Sequence, residues 1–258
     1  MILHAVERGS GAPGAPPLVL LHGLYGHAQN FGTVQRRLSA GRRVIALDLR
    51  NHGDSPRAPV MGYAAMAEDV LETLRQASAL PAVLIGHSMG GKVAMTAALE
   101  APAAVARLLV ADIAPVTYAD HAGGHGRLLA AMQSVSLHPG LTRAEAADLL
   151  AQSVPDPATR GFLLQNLRFG AAPQWRIDLP ALARALPDLV GWPEPEGRYA
   201  GPALFLAGAR SDYLRPEHRP AIRARFPSAR FVTLKDAGHW LHADDPDGFV
   251  SVVEAFAK

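Results

Sequence analysis

The sequence contains no cysteine. That absence excludes disulfides, thiolate catalysis and cysteine-ligated zinc together, and it fits a protein of the reducing cytoplasm. Lysine is scarce, occurring only as Lys92, Lys235 and Lys258. The net charge is +2, and the arginines are scattered or at most paired, at 36–37 and 42–43. A nucleic-acid surface needs clustered positive charge, so no nucleic-acid partner is expected. No apolar run approaches the roughly 18 to 20 residues of a membrane span. The opening "MILHAVERGSG" has no basic stretch leading into a long apolar one, so no secretory signal is expected either. No HExxH-like set of ligands occurs, and no GxGxxG follows a strand, so neither a metal nor a dinucleotide cofactor is implied.

What is present is a globular chain, 49% hydrophobic and 19% charged. Short Val/Ile/Leu-rich runs recur: "LVLLHG" (18–23), "RVIALDLR" (43–50), "AVLIGHS" (82–88), "RLLVADI" (107–113), "ALFLAG" (203–208) and "RFVTL" (230–234). Several are continuous rather than alternating, which predicts strands buried on both faces of a parallel sheet. "ILHAVER" (2–8) predicts an edge strand before a Gly/Pro-rich turn. Helical spacing predicts helices over 30–40, 64–78 and 89–101. Strand and helix in alternation mean βαβ units and an α/β fold with helices on both faces. The rhythm breaks after Ile113. From 114 to 200 the pattern predicts helical segments, such as 142–153 and 158–169, and no strand, with 180–195 leading back to the strand at 203. The expected organisation is a core of residues 1–113 and 201–258 with a helical cap, 114–200, inserted between two late strands.

At the end of the third core strand stands "GHSMGG" (86–91). It fits G-x-S-x-G, with Gly86, Ser88 and Gly90 in the fixed positions, after a strand and before a helix, the context the motif requires. Glycines flank the serine because a Cβ on either side of so tight a turn would clash. The serine Oγ then projects above the sheet at a helix N-terminus, where free N–H groups favour negative charge. An idle serine in a glycine-rich turn is the bland alternative, and the flanking strand and helix argue against it.

A serine hydroxyl is a weak nucleophile and needs a base held by a third group. The order for this architecture is Ser, acid, His. His239, in "DAGHWLHADDP" (236–246), is the candidate base, and His242 is its rival with a better structural explanation. Asp112 ends "RLLVADI" and Asp212 follows "FLAG"; both lie at C-terminal strand ends, where catalytic groups gather in open α/β sheets. The default position in this fold favours Asp212, and periodicity does not separate the two. The backbone N–H groups of Met89 and Leu24 are the expected oxyanion donors. His22 reads as a structural hydrogen-bonding group. Asp48, Arg50, Asn51, His52 and Asp54 read as a loop-fixing network, and Lys92 as a helix residue rather than a general base.

With these parts in place the chain resembles an α/β-hydrolase with a cap domain over essentially its whole length, and within that superfamily it is similar to the YbfF-type esterases and their mitochondrial relatives. The shared stretches are "HGLYG" (22–26), "DLRNHGDSP" (48–56), "GHSMGGK" (86–92), "DIAPV" (112–116), "GPALFLAG" (201–208) and "AGHWLHAD" (237–244). The resemblance implies Ser88 as nucleophile and His239 as base. In some of these relatives the acid matches Asp112 and the position of Asp212 is not acidic; here both are acidic, and both stay candidates. The expected activity is serine carboxylic-ester hydrolysis through an acyl-enzyme on a small-molecule ester of a small or medium acid, acyl thioesters included. A C–C bond hydrolase on the same triad and a non-catalytic binding protein on this fold are the alternatives. Phe162, Leu163, Phe169, Trp175 and Trp192 are candidates to line an apolar acyl pocket or to pack the cap.

Overall fold

A computed structural model describes every residue except Pro13. Its strands are β1 (Ala5–Arg8), β2 (Leu18–Leu21), β3 (Val44–Leu47), β4 (Ala82–His87), β5 (Val105–Ala111), β6 (Leu167–Arg168), β7 (Gln174–Trp175), β8 (Ala203–Gly208) and β9 (Ala229–Leu234). Seven of them form one sheet in the order β1-β3-β2-β4-β5-β8-β9. Only the edge strand β1 runs antiparallel, against β3; every other neighbour is parallel. The helices are α1 (Gly32–Leu38), α2 (Tyr63–Gln76), α3 (Met89–Glu100), α4 (Ala122–Ser134), α5 (Arg143–Ala151), α6 (Pro157–Leu163), α7 (Leu179–Val190), α8 (Arg219–Arg225), α9 (Leu241–Asp244) and α10 (Pro246–Phe256).

Strand side chains alternate between faces, and here both faces are covered. Val19, Leu21, Ile45, Leu47, Leu84 and Phe205 pack on one side with Met66 and Val70 of α2 and Val93 and Ala97 of α3. Leu18, Leu20, Val44, Ala46, Ile85 and Leu204 pack on the other with Val34 of α1 and Phe249 and Val253 of α10. This explains why the strands read as continuous apolar runs.

Between β5 and β8 the chain builds α4 to α7 and a two-stranded ribbon, β6–β7. The ribbon corrects the expectation of a strand-free segment: two-residue strands are too short to show alternation. The helix expected over 158–169 ends at Leu163 and passes through a single 3₁₀ turn, Leu164–Asn166, into β6. Asn166 accounts for the break, since its amide donates to the carbonyls of Tyr25 (2.6 Å) and Leu163 (3.4 Å) and so competes for helix acceptors. The starts of α5, α6 and α7 are fixed by side-chain caps on Thr142, Asp156 and Asp178.

Candidate active site

The turn after β4 places Ser88 at φ 52° and ψ −120°, a left-handed backbone that costs a non-glycine residue about 1–3 kcal/mol. The neighbours leave no alternative. A Cβ on Gly86 would fall on the Gly90 carbonyl, and one on Gly90 would fall on the Leu21 carbonyl. One on Gly91 would stand 2.6 Å from Ile113 Cγ2. The Ser88 N–H still donates to the Ala111 carbonyl at 3.0 Å, so the strained residue is tied to the sheet edge.

His239 follows β9 in the loop before α9. Its Nε2 lies 3.1 Å from Ser88 Oγ and its Nδ1 lies 2.8 Å from Asp112 Oδ2. A carboxylate only accepts, so Nδ1 carries the proton and Nε2 is free to accept from the serine hydroxyl. Asp112 stands one residue past β5 at φ 53°, its N–H donating to the Leu206 carbonyl at 2.8 Å. Its carboxylate is wholly buried, accepting from the Gly208 N–H at 3.1 Å and from the Ser211 hydroxyl. Asp212 is not brought to His239: its side chain is 70% exposed and faces His121 Nε2 at 3.8 Å.

Leu24 belongs to a loop that passes tightly beside the elbow, since a Cβ on Gly23 would come within 3.1 Å of His87 Nδ1 and 3.2 Å of Ser88 Cβ. Met89 opens α3, where backbone N–H groups have no helical partner. His22 is engaged on both ring nitrogens, accepting from the Leu49 N–H at 2.9 Å and meeting the Gly23 carbonyl at 2.8 Å. His242 is half-buried, packed against Phe31 and His87 with ring centroids 4.7 Å and 5.0 Å away, and desolvation of the ring pushes its pKa down to about 4. Asp48 accepts from the N–H groups of Ala28 (2.6 Å) and Asp54 (2.8 Å) and meets His4 Nδ1 at 2.9 Å. Arg50 pairs with Asp69 at 2.6 Å, Asn51 with the backbone of Ala58, and His52 Nδ1 with the Arg50 carbonyl. His4, Asp48 and Asp54 are, among the described residues, the one group with metal-ligand proximity. Two guanidinium cations, Arg168 and Arg176, already sit on Asp54, and that positive charge works against a metal at this group.

Ser88 and His239 stand in a cavity of about 190 Å³ with walls from Leu24, Phe31, Leu128, Phe162 and Trp240. Of the five cap residues considered from the sequence, only Phe162 lines it, its ring tilted at 41° against Trp240 with centroids 5.3 Å apart. Leu163 and Trp192 are buried elsewhere, Trp175 lies on β7 and Phe169 is exposed. Three residues beside the site were not among the sequence candidates. Ser211 holds Asp112; Tyr213 stacks on the His239 ring at 4.0 Å; and His87 Nε2 donates to the His239 carbonyl at 2.7 Å. His87 was findable, as the variable residue before the nucleophile in G-x-S-x-G.

A mostly parallel sheet with a strained serine at the end of a central strand, and a histidine and a buried aspartate delivered by later loops, defines an enzyme of the α/β-hydrolase type. The chain matches the model of the alpha/beta hydrolase fold family over residues 16–246, and it belongs to that family. It is 41% identical over 249 residues to the sn-1-specific diacylglycerol lipase ABHD11 of Mus musculus, covering 93% of this chain and 80% of that one. To the esterase YbfF of Escherichia coli it is 39% identical over 240 residues, covering 93% and 92%. Among solved structures it superposes on a marine microorganism esterase with a TM-score of 0.94 and 35% identity, over 99% of both chains. The resemblance read from the motifs therefore holds.

Proposed function

We propose that this enzyme hydrolyses carboxylic esters of small or medium acids through an acyl-enzyme on Ser88. The observation that carries the reading is the continuous hydrogen-bonded line from Ser88 Oγ through His239 to the buried Asp112, at the base of an apolar cavity. Ser88 Oγ attacks the ester carbonyl while His239 Nε2 takes its proton. The imidazolium that forms is stabilised by Asp112, which holds the ring in the required tautomer. The tetrahedral oxyanion accepts from the N–H groups of Met89 and Leu24. His239 then gives its proton to the departing alkoxide, the ester C–O bond breaks and the acyl group stays on Oγ. Water, deprotonated by His239, attacks the acyl carbon, and the acid leaves with Ser88 restored. Ser211 and His87 act as positioning residues, the first on Asp112 and the second on the His239 loop.

In this reading residues 114–200 form a cap over the C-terminal edge of the sheet, and Phe162 supplies part of its apolar lining. Among the described residues no helix is long and apolar enough to cross a membrane. The absence of cysteine supports a cytoplasmic setting, and the substrate is a small molecule. The test is hydrolysis of p-nitrophenyl esters by wild type and Ser88→Ala side by side. We expect kcat to fall by about 10⁴-fold or more in the variant, with an unchanged circular dichroism spectrum. Retained turnover in a folded variant would remove Ser88 from the mechanism.

A further inference from the structure

Ser88 stands between two cavities of unlike size. The larger, about 190 Å³, is lined by His239 and Trp240. The smaller, about 30 Å³, is lined by Met89, Lys92, Ile113 and Leu189, and His239 takes no part in it. Leu24, Ser88, His125 and Tyr213 belong to both.

The chemistry assigns a direction to each part of an ester. A tetrahedral carbon on Ser88 Oγ bears an oxyanion, an alkoxy oxygen and the acyl chain. The alkoxy oxygen must come within hydrogen-bond reach of His239 Nε2 to be protonated. The alcohol part therefore runs into the cavity that His239 lines, and the acyl chain runs past Met89 into the other. A water molecule occupies about 30 Å³ of liquid. The smaller cavity thus takes one or two carbon-sized groups beyond the carbonyl, and the larger takes about six.

Lys92 closes one end of the small cavity. Lys92 lies one helical turn beyond Ser88, on the same face of α3, and its side chain leans back toward the helix N-terminus. Its ammonium donates to the carbonyls of Val190, at 3.2 Å, and Gly191, which end α7 and the turn after it. The faces of Tyr118 and Tyr63 lie 4.9 Å and 5.6 Å from it, and the Tyr63 hydroxyl donates to the Leu189 carbonyl at 2.5 Å. A cation in the first turn of a helix works against the macrodipole, whereas one at a helix C-terminus works with it. Lys92 does both, and among the described residues no carboxylate lies within 4.0 Å of its nitrogen. Burial lowers its pKa to about 7, a cost that the closure of this cavity explains. A longer acyl chain would have to displace the ammonium from its carbonyls.

We infer that the enzyme is selective for esters in which a short acid, acetic or propionic, is joined to a larger apolar alcohol, with Leu189 and Lys92 setting the acyl limit. This rests on the ester-hydrolase reading. The test uses two isomers of one formula, hexyl acetate and ethyl hexanoate, so that total apolar content is equal. Wild type should show kcat/KM at least about tenfold higher on hexyl acetate, whose chain seats its methylenes in the larger cavity. Leu189→Ala, which enlarges the small cavity, should narrow that ratio at least about threefold by raising activity on ethyl hexanoate. A second series needs no variant: hexyl acetate, propionate, butyrate and hexanoate with wild type should show activity dropping beyond propionate. Equal or reversed preference between the isomers, or a flat acyl series, would overturn the inference while leaving an ester hydrolase. If neither isomer is turned over and Ser88 is not labelled by a fluorophosphonate, the ester-hydrolase reading itself fails and the inference with it.

Discussion

Asp112 and Asp212 each lie just beyond a strand end, and backbone geometry alone separates them. At φ 53° the chain turns Asp112 back over the sheet, where Gly208, at the end of β8, and Ser211, in the loop after it, donate to it. That same loop turns Asp212 outward to solvent. On this basis Asp112→Asn should lower kcat by about 10³–10⁴-fold, because an amide at this position favours the wrong imidazole tautomer. Asp212→Asn should stay within about twofold, a surface change away from the hydrogen-bonded line. Steady-state kinetics of both variants on one p-nitrophenyl ester check the pair; a large loss in Asp212→Asn would reassign the acid. The contrast also marks where reading the sequence stops. Ser88 was legible because the elbow is a local device, written in consecutive residues. His239 was legible from its glycine-bearing loop past the last strand. Asp112 depends on an amide and a hydroxyl 96 and 99 residues away in the chain, and no local pattern records such partners.

Elements differ in the same way. The core strands announce themselves because both faces are buried. By contrast α4 carries Gly123, Gly124 and Gly126 near its start, each unfavourable in a helix by about 1 kcal/mol relative to alanine, and it gave no distinct helical signal. Tertiary contact overrides propensity here: α4 packs along α7, and the Tyr25 hydroxyl donates to the His125 carbonyl at 3.0 Å. The β6–β7 ribbon is tied to the core by Arg57, which donates to the Trp175 carbonyl at 3.1 Å, and by Asp54, which pairs with Arg168 on β6 and with Arg176, at 2.9 Å, just after β7. Partly exposed pairs of this kind contribute about 1 kcal/mol or less. Asp54→Asn should therefore change the urea midpoint little while speeding tryptic cleavage after Arg168 or Arg176, because the ribbon opens locally without global unfolding. Unchanged cleavage kinetics would mean that packing and Arg57, and not Asp54, hold the ribbon.

For the molecule as a whole, the folded state buries several neutral histidines. Burial pushes His125 and His242 from the ordinary 6.5 down to about 4, and His52 to about 3. Between pH 6.5 and about 4 the unfolded chain takes up protons that the folded chain refuses, so stability falls as pH drops through that window. Above pH 6.5 these groups are neutral in both states and contribute no slope. Each unit of displacement amounts to about 1.4 kcal/mol, and a net stability of about 5–15 kcal/mol does not absorb several such costs. Urea midpoints should therefore decline steadily from pH 6.5 toward pH 5, with a shallower decline in His242→Gln; above pH 7 the slope belongs to Lys92, whose lowered pKa makes stability rise with pH. A midpoint independent of pH over the acid range would contradict the burial of these rings as neutral groups. The overall βα rhythm was legible at this scale, since chain-wide alternation survives any single misread segment; the histidine burial was not, because it depends on which loops converge above the sheet. The unequal spaces on either side of Ser88 carry a last consequence for the proposed reaction. A carbonyl carbon fixed by Oγ, by the oxyanion donors and by two compartments of different volume presents only one of its faces to attack. The site is therefore handed, and mirror-image esters meet it as different molecules.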